Sequence, residues 1–150
     1  MPQLPFEPRN PHFEVDVRRS FARQQIMTSC GASLTRLEPG LVEITLPFSV
    51  RLTQQDGFLH AGIIAAIADS ACGYAAMTLA PTGTGVLTAE FKVNFLAPGQ
   101  GDGFLASGRV IRAGRTLTVC RGDVHTTDDD VSRRMIATML ATVVSRVPRE

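Results

Sequence analysis

The sequence predicts an α+β domain in which one long antiparallel sheet wraps around a single buried central helix, with an extra helix on the amino-terminal side. Three observations carry this expectation. Residues 60–79 read HAGIIAAIADSACGYAAMTL, apolar or small on nearly every helical face, which marks a buried helix rather than an amphipathic one. From Gly85 onward, segments rich in strand formers follow one another with only short turns between them. A hairpin pattern precedes the helix at residues 32–47.

The elements follow in chain order. Residues 1–11 are punctuated by prolines and should run extended along the surface. From His12, Phe13, Val17, Phe21 and Ile26 recur near helical spacing with Arg18, Arg19 and Arg23 between them, predicting an amphipathic helix to about Ser29. Gly31 stops it. Ala32–Leu37, a Glu38-Pro39-Gly40 turn and Leu41–Pro47 form the hairpin, where Val42, Ile44 and Leu46 alternate with Glu43 and Thr45. Residues 49–59 read as a loop feeding the central helix, which Pro81, Gly83 and Gly85 end. In the strand at Gly85–Ala97, alternation puts Ala89, Phe91, Val93 and Phe95 on one face and Thr88, Glu90, Lys92 and Asn94 on the other. Phe104–Ala113, a tight Gly114-Arg115 turn, Thr116–Thr126, a turn at Thr127–Val131 and a last strand at Ser132–Val147 complete the sheet. Strand edges this long invite pairing between two copies, so a dimer or a dimer of dimers is expected.

Composition narrows the function classes. A chain of 150 residues is most simply one domain. Its net charge of +1, with Lys and Arg spread along the chain, gives no electrostatic case for nucleic acid or an acidic membrane. Cys30, Cys72 and Cys120 are odd in number and widely spaced, which fits neither a disulfide framework nor a zinc site and suits a reducing cytosol. The first residues lack the apolar core of a signal peptide, and Asp69 interrupts the best candidate for a membrane span. A soluble, cytoplasmic domain is the expectation.

Within the apolar helix Asp69 is the lone carboxylate. Such an acid is costly to desolvate, so a fold that keeps one usually gives it a partner or a task. The same segment opens on His60-Ala61-Gly62, where amide N–H groups at a helix start can hold an anion. Asp69 lies nine residues beyond His60, about 13–14 Å along the axis and on the opposite side of the helix. One chain cannot bring its own helix start against its own acid. If both act on one carbonyl, they come from different subunits.

These residues resemble the hotdog-fold thioesterases, in particular the phenylacetate-pathway (PaaI-like) acyl-CoA thioesterase branch. The resemblance rests on HAG at 60–62, the following AIADSACGYAA through Ala76, and VNFLAP at 93–98, and it covers about residues 50–145. Two positions depart from the family pattern: Ala61 stands where Gly is usual, and Gln54, with Gln55 equally close, stands where relatives often place Asn. The resemblance implies hydrolysis of an acyl-CoA thioester at sites shared between two subunits, with coenzyme A as part of the substrate and no metal or other cofactor.

The roles it implies each compete with an ordinary one. Asp69 would be the general base for water, or a nucleophile forming a transient anhydride; the alternative is an Asp bonded at a helix packing contact. The N–H groups of Ala61 and Gly62 would form an oxyanion hole aided by the helix dipole, against an ordinary helix start built of small residues. His60 would position the thioester carbonyl, or serve structure alone. Gln54 or Gln55 would orient the attacking water, although paired loop glutamines are commonly just solvated. Thr88 would support the acid, although β-propensity alone favours Thr in strands. Arg112, Gly114 and Arg115 at a hairpin tip, with Asn94, would grip coenzyme A, since the Arg fork suits phosphate. Phe58, Leu59, Tyr74 and Met77 are candidates for the acyl pocket. Asp128, Asp129 and Asp130 read as a turn rather than a metal site, Cys72 as a small core residue, and the absence of a G-x-S-x-G elbow disfavours a serine hydrolase. The competing functions are a hotdog hydratase or dehydratase, which would need a His paired with an acid, and a non-catalytic acyl-CoA sensor, which the lack of an attached DNA-binding segment weakens.

Overall fold

A computed structural model describes residues 6–128 and 133–147. Two short helices, α1 (Phe13–Arg23) and α2 (Gln25–Cys30), precede the hairpin β1 (Ser33–Glu38) and β2 (Leu41–Pro47). The long helix α3 (Ala61–Met77) follows, then β3 (Gly85–Phe95), β4 (Gly103–Ala113), β5 (Leu117–Thr126) and β6 (Met135–Arg146). The strands form one antiparallel sheet in the order β1-β2-β4-β5-β6-β3, so β1 and β3 are its edges. This is the helix-wrapping sheet of the hotdog fold, with the amino-terminal helical segment added.

The amino-terminal segment is two helices where periodicity gave one. At Gln24 the backbone turns extended (φ −78°, ψ 99°), which breaks the ladder. Tertiary contacts account for the break: Gln24 Nε2 donates to Ser70 Oγ of α3 at 3.0 Å, and Val17 is wholly buried. Phe21 meets Tyr74 edge to face, with ring centroids 5.8 Å apart. Gly31 then ends α2 in the left-handed region at φ 78°, where a side chain would be strained. The loop at 49–59 contains a 3-10 turn, Val50–Leu52, and a bridge between Thr53 and Leu59.

Helix α3 packs against five of the six strands, most closely on β4. Its apolar composition is explained by burial: Ile67, Ala68, Ala71, Cys72 and Ala75 are fully enclosed. The small residues of α3 meet equally small ones on the sheet. Gly108 of β4 and Gly122 of β5 are paired neighbours. A Cβ at Gly108 would fall on the Ala71 carbonyl, and one at Gly122 would lie 2.8 Å from Cys72 Sγ and 3.3 Å from the Ala68 carbonyl oxygen. The sheet therefore sets how near the helix sits as much as the helix does. Gly108→Ala is expected to destabilise the fold by at least about 1–3 kcal/mol, the usual cost of overpacking. A thermal or denaturant melt checks this, and an unchanged midpoint would contradict the close approach.

Strand β3 departs from simple alternation. Thr88 pairs with Val143 and Glu90 with Thr142, so Ala89 is an extra residue on β3, a β-bulge. Val143 is buried toward α3, and Thr88 faces the helix with it; Glu90 faces away and accepts from Thr142 Oγ1 at 2.9 Å. Beyond the bulge Phe91, Val93 and Phe95 oppose the buried Ala141, Met139 and Ala137, which puts them on the same inner face as Thr88. The expected faces of Thr88 and of Glu90, Lys92 and Asn94 are thus divided: Thr88 points in, the other three out. Phe91 and Phe95 extend past the cover that α3 provides and remain 43% and 45% exposed.

Candidate functional site

The Asp69 side chain leaves α3 toward β3 and is half-buried. Thr88 Oγ1 donates to Asp69 Oδ1 at 2.6 Å. That bond exists because the bulge turns Thr88 inward just where β3 passes the middle of α3. A donated hydroxyl proton stabilises the carboxylate and fixes its plane. Among the described residues Asp69 makes no ion pair.

Asp69 stands in the wall of a cavity of about 640 Å³ bounded by α1, α3 and the chain from Pro81 to Thr88. Tyr74 and Met77, expected at an acyl pocket, line it; Phe58 and Leu59 do not. Tyr74 Oη lies 3.3 Å from Ser20 Oγ, and burial raises its phenol above the usual range, so the group stays protonated. Gln24 closes one side through its bond to Ser70, and its own Oε1 is buried without a partner among the described residues. The cavity volume is in the range of sites for small molecules.

The start of α3 has a different character. His60 is the N-cap, with extended backbone (φ −60°, ψ 135°), and its Nδ1 accepts from the Gly62 N–H at 2.8 Å. An accepting Nδ1 puts the ring proton of neutral His60 on Nε2, which faces outward as a donor. Gly62 N–H is therefore engaged by the cap rather than open. Ile63 and Ile64 both bond back to the His60 carbonyl, so Ala61 N–H alone of the first four amides has no partner among the described residues. His60, Ala61 and Gly62 are all exposed.

The glutamines lie in the tight loop before this helix. Gln54 Oε1 accepts from Asp56 N–H at 2.6 Å and Phe58 N–H at 3.2 Å, so it braces its own loop and leaves only Nε2 outward. Gln55 is exposed and contacts Asp56.

The remaining candidates are elsewhere. Gly114 and Arg115 line a shallow cavity of about 360 Å³ with Phe6, Arg9 and Leu79, at the far end of α3 from His60. Arg112 is exposed beside them on β4. Asn94 is on the outer face of the sheet, where its Oδ1 accepts from Lys92 Nζ at 2.7 Å. The structure thus joins Asp69 to Thr88 and keeps the helix start, the glutamines and the hairpin arginines apart from them within one chain.

Thiolate chemistry is disfavoured by the surroundings. Burial pushes the Cys72 thiol far up and the Cys120 thiol up to about 12, so neither supplies a thiolate near Asp69. Among the described residues no three His, Cys, Asp or Glu side chains converge as metal ligands. Asp128 Oδ1 instead accepts from Asp102 N–H at 2.6 Å in a turn; Asp129 and Asp130 lie outside the described residues. No described helix is long and apolar enough to cross a membrane.

Comparison with known proteins gives concordant matches. The model of the Thioesterase superfamily matches residues 56–132. A protein of Saccharolobus solfataricus that carries a provisional esterase name is 35% identical over 104 residues, 69% of each chain. A solved structure of a thioesterase family protein from Silicibacter pomeroyi is similar at a TM-score of 0.87, with 46% identity over 91% of this chain and 99% of that one. The Escherichia coli PaaI protein from the phenylacetic acid degradation operon shares the fold at a TM-score of 0.80 with 16% identity, over 93% of this chain and 96% of its own.

Proposed function

Because the chain belongs to the thioesterase superfamily, we propose that it hydrolyses acyl-CoA thioesters with Asp69 as the acid that acts on the substrate. The observation that carries the reading is the 2.6 Å bond from Thr88 to Asp69 Oδ1 in the wall of a substrate-sized cavity. One carboxylate oxygen is held and the other is free to take a proton from water or to attack the carbonyl. Water adds to the thioester carbon, the C–S bond breaks, and the thiol leaves with a proton, giving the free acid and coenzyme A. No cofactor enters this balance.

The negative charge that develops on the carbonyl oxygen needs a donor, and Ala61 N–H is the open amide at the positive end of α3. The helical rise between them keeps Ala61 and Asp69 of one chain about 12 Å apart, so the reading requires the Ala61 of a second copy. The β3 edge favours such a pairing: its outer side has no strand neighbour, and Phe91 and Phe95 are apolar surface left open beside it. The working unit is therefore a dimer joined along β3, with coenzyme A as product and neither nucleic acid nor membrane as partner, in a cytoplasmic setting.

A thiol-release assay over aromatic and medium-chain acyl-CoA esters tests the activity, run beside crotonyl-CoA hydration followed by absorbance. Release without hydration supports the proposal; hydration without release, or tight binding with neither, would replace it. Thr88→Val keeps the shape and removes the donor. It is expected to lower kcat about tenfold, because the carboxylate is no longer held in a fixed plane. An unchanged kcat would assign Thr88 to packing alone.

A further inference from the structure

We infer that Arg19, Arg23 and Arg146 form an anion-binding subsite at the outer end of the Asp69 cavity, taking a phosphate or carboxylate group carried by the substrate. All three line that cavity and all three are exposed, which puts them on its solvent side, opposite the half-buried Asp69. Arg19 and Arg23 stand four residues apart on α1, on one helical face with Cβ atoms about 6 Å apart. Arg146 approaches from a separate element, the last residue of β6, paired with Gly85 at the start of β3. Two elements thus present guanidinium groups to one space.

None of the three has an ion-pair partner among the described residues, whereas Arg36 and Arg121, on open surface, each hold carboxylates. The carboxylates in the cavity are otherwise engaged. Asp16 Oδ2 accepts from Asn10 Nδ2 at 2.8 Å, and Asp69 accepts from Thr88. The positive charge of Arg23 reaches into the cavity, where it acts against burial on the Tyr74 phenol. Guanidinium groups without an ion-pair partner among the described residues, lining one cavity with the acid, match a planar or tetrahedral oxyanion better than a neutral group. The hairpin residues Gly114 and Arg115, by contrast, line a cavity that Asp69 does not share.

The inference rests on the thioesterase reading for the identity of the ligand, and two sources of the anion are distinguishable: the phosphates of coenzyme A, or an acidic end on the acyl group. The test compares the wild type with Arg19→Gln/Arg23→Gln and with Arg146→Gln. The substrates are an acyl-CoA, the same acyl group on N-acetylcysteamine, which has no phosphate, and an ω-carboxyacyl N-acetylcysteamine ester. The ratio of kcat/KM for a charged over the neutral ester is expected to fall about tenfold or more in the variants, and less at high salt. A fall confined to the CoA ester assigns the phosphates; one confined to the ω-carboxyacyl ester assigns the acyl terminus. Ratios unchanged in both variants would overturn the subsite. Calorimetric titration with coenzyme A and with glutarate reads the same site without turnover, so it separates this inference from the reaction itself. Weaker binding of either by the variants supports the subsite even if no ester is hydrolysed. No binding to the wild type, or equal binding to all three proteins, overturns it.

Discussion

Asp69→Asn is expected to lower thiol release by about 10²–10⁴-fold, the range ascribed to a positioned acid or base, with folding and oligomeric state retained. Asn has the shape of Asp, and its carbonyl oxygen still accepts the Thr88 hydroxyl now 2.6 Å from Oδ1. What changes is the second oxygen, which becomes an amide nitrogen able neither to take a proton nor to attack. Removing a half-buried charge from a helix that is otherwise apolar should not lower the melting temperature. Turnover within a few-fold of wild type would remove Asp69 from the mechanism.

Ala61→Pro should cost about 10²–10³-fold, as for loss of one oxyanion donor. The substitution suits this position. Ala61 is the first helical residue, where proline's missing N–H and fixed φ are tolerated, and His60 already has the extended backbone that a following proline demands. Gly62 N–H remains bonded to His60 Nδ1, so the cap survives. Ala61→Ser, which keeps the amide, should stay near wild type; a proline variant as active as the serine one excludes this amide. Mixing the Asp69→Asn and Ala61→Pro chains tests whether sites are shared. With random exchange, half of the dimers are mixed and each holds one site intact in both residues, so about a quarter of wild-type activity should return. If mixing restores nothing although chains exchange, acid and amide do not meet across subunits.

The architecture was legible from periodicity, because the two patterns that build it are strong and uninterrupted. An all-apolar helix of this length has to be covered, and the segments after Gly85 have little choice but to cover it. Boundaries at Leu41–Pro47 and Ala113 came out directly from alternation and turn residues. The break at Gln24 did not, since its cause is a side chain reaching Ser70, 46 residues away. The bulge at Ala89 did not either: an extra residue in a strand leaves no compositional trace, and it moves Thr88 to the face opposite Glu90, Lys92 and Asn94 while the grouping of the later residues holds. For the site, Asp69 was visible as a carboxylate out of place, and Thr88 as a residue near it by family likeness. The use of Gly62 N–H by His60 was hidden, because capping geometry depends on one side-chain torsion. Arg19 and Arg23 could be read as the polar stripe of a helix, but only the fold gives that stripe a cavity to face.

The bulge in β3 acts as a change of phase. Upstream of it the strand keeps time with the central helix, setting Thr88 against Asp69; downstream it keeps time with the sheet edge, setting Phe91 and Phe95. A straight strand cannot satisfy both beats, because Thr88 and Phe91 are an odd number of residues apart and yet share a face. Under the proposed function, chemistry and assembly are thus tuned by one inserted residue, and drift at Ala89 would put both out of step together.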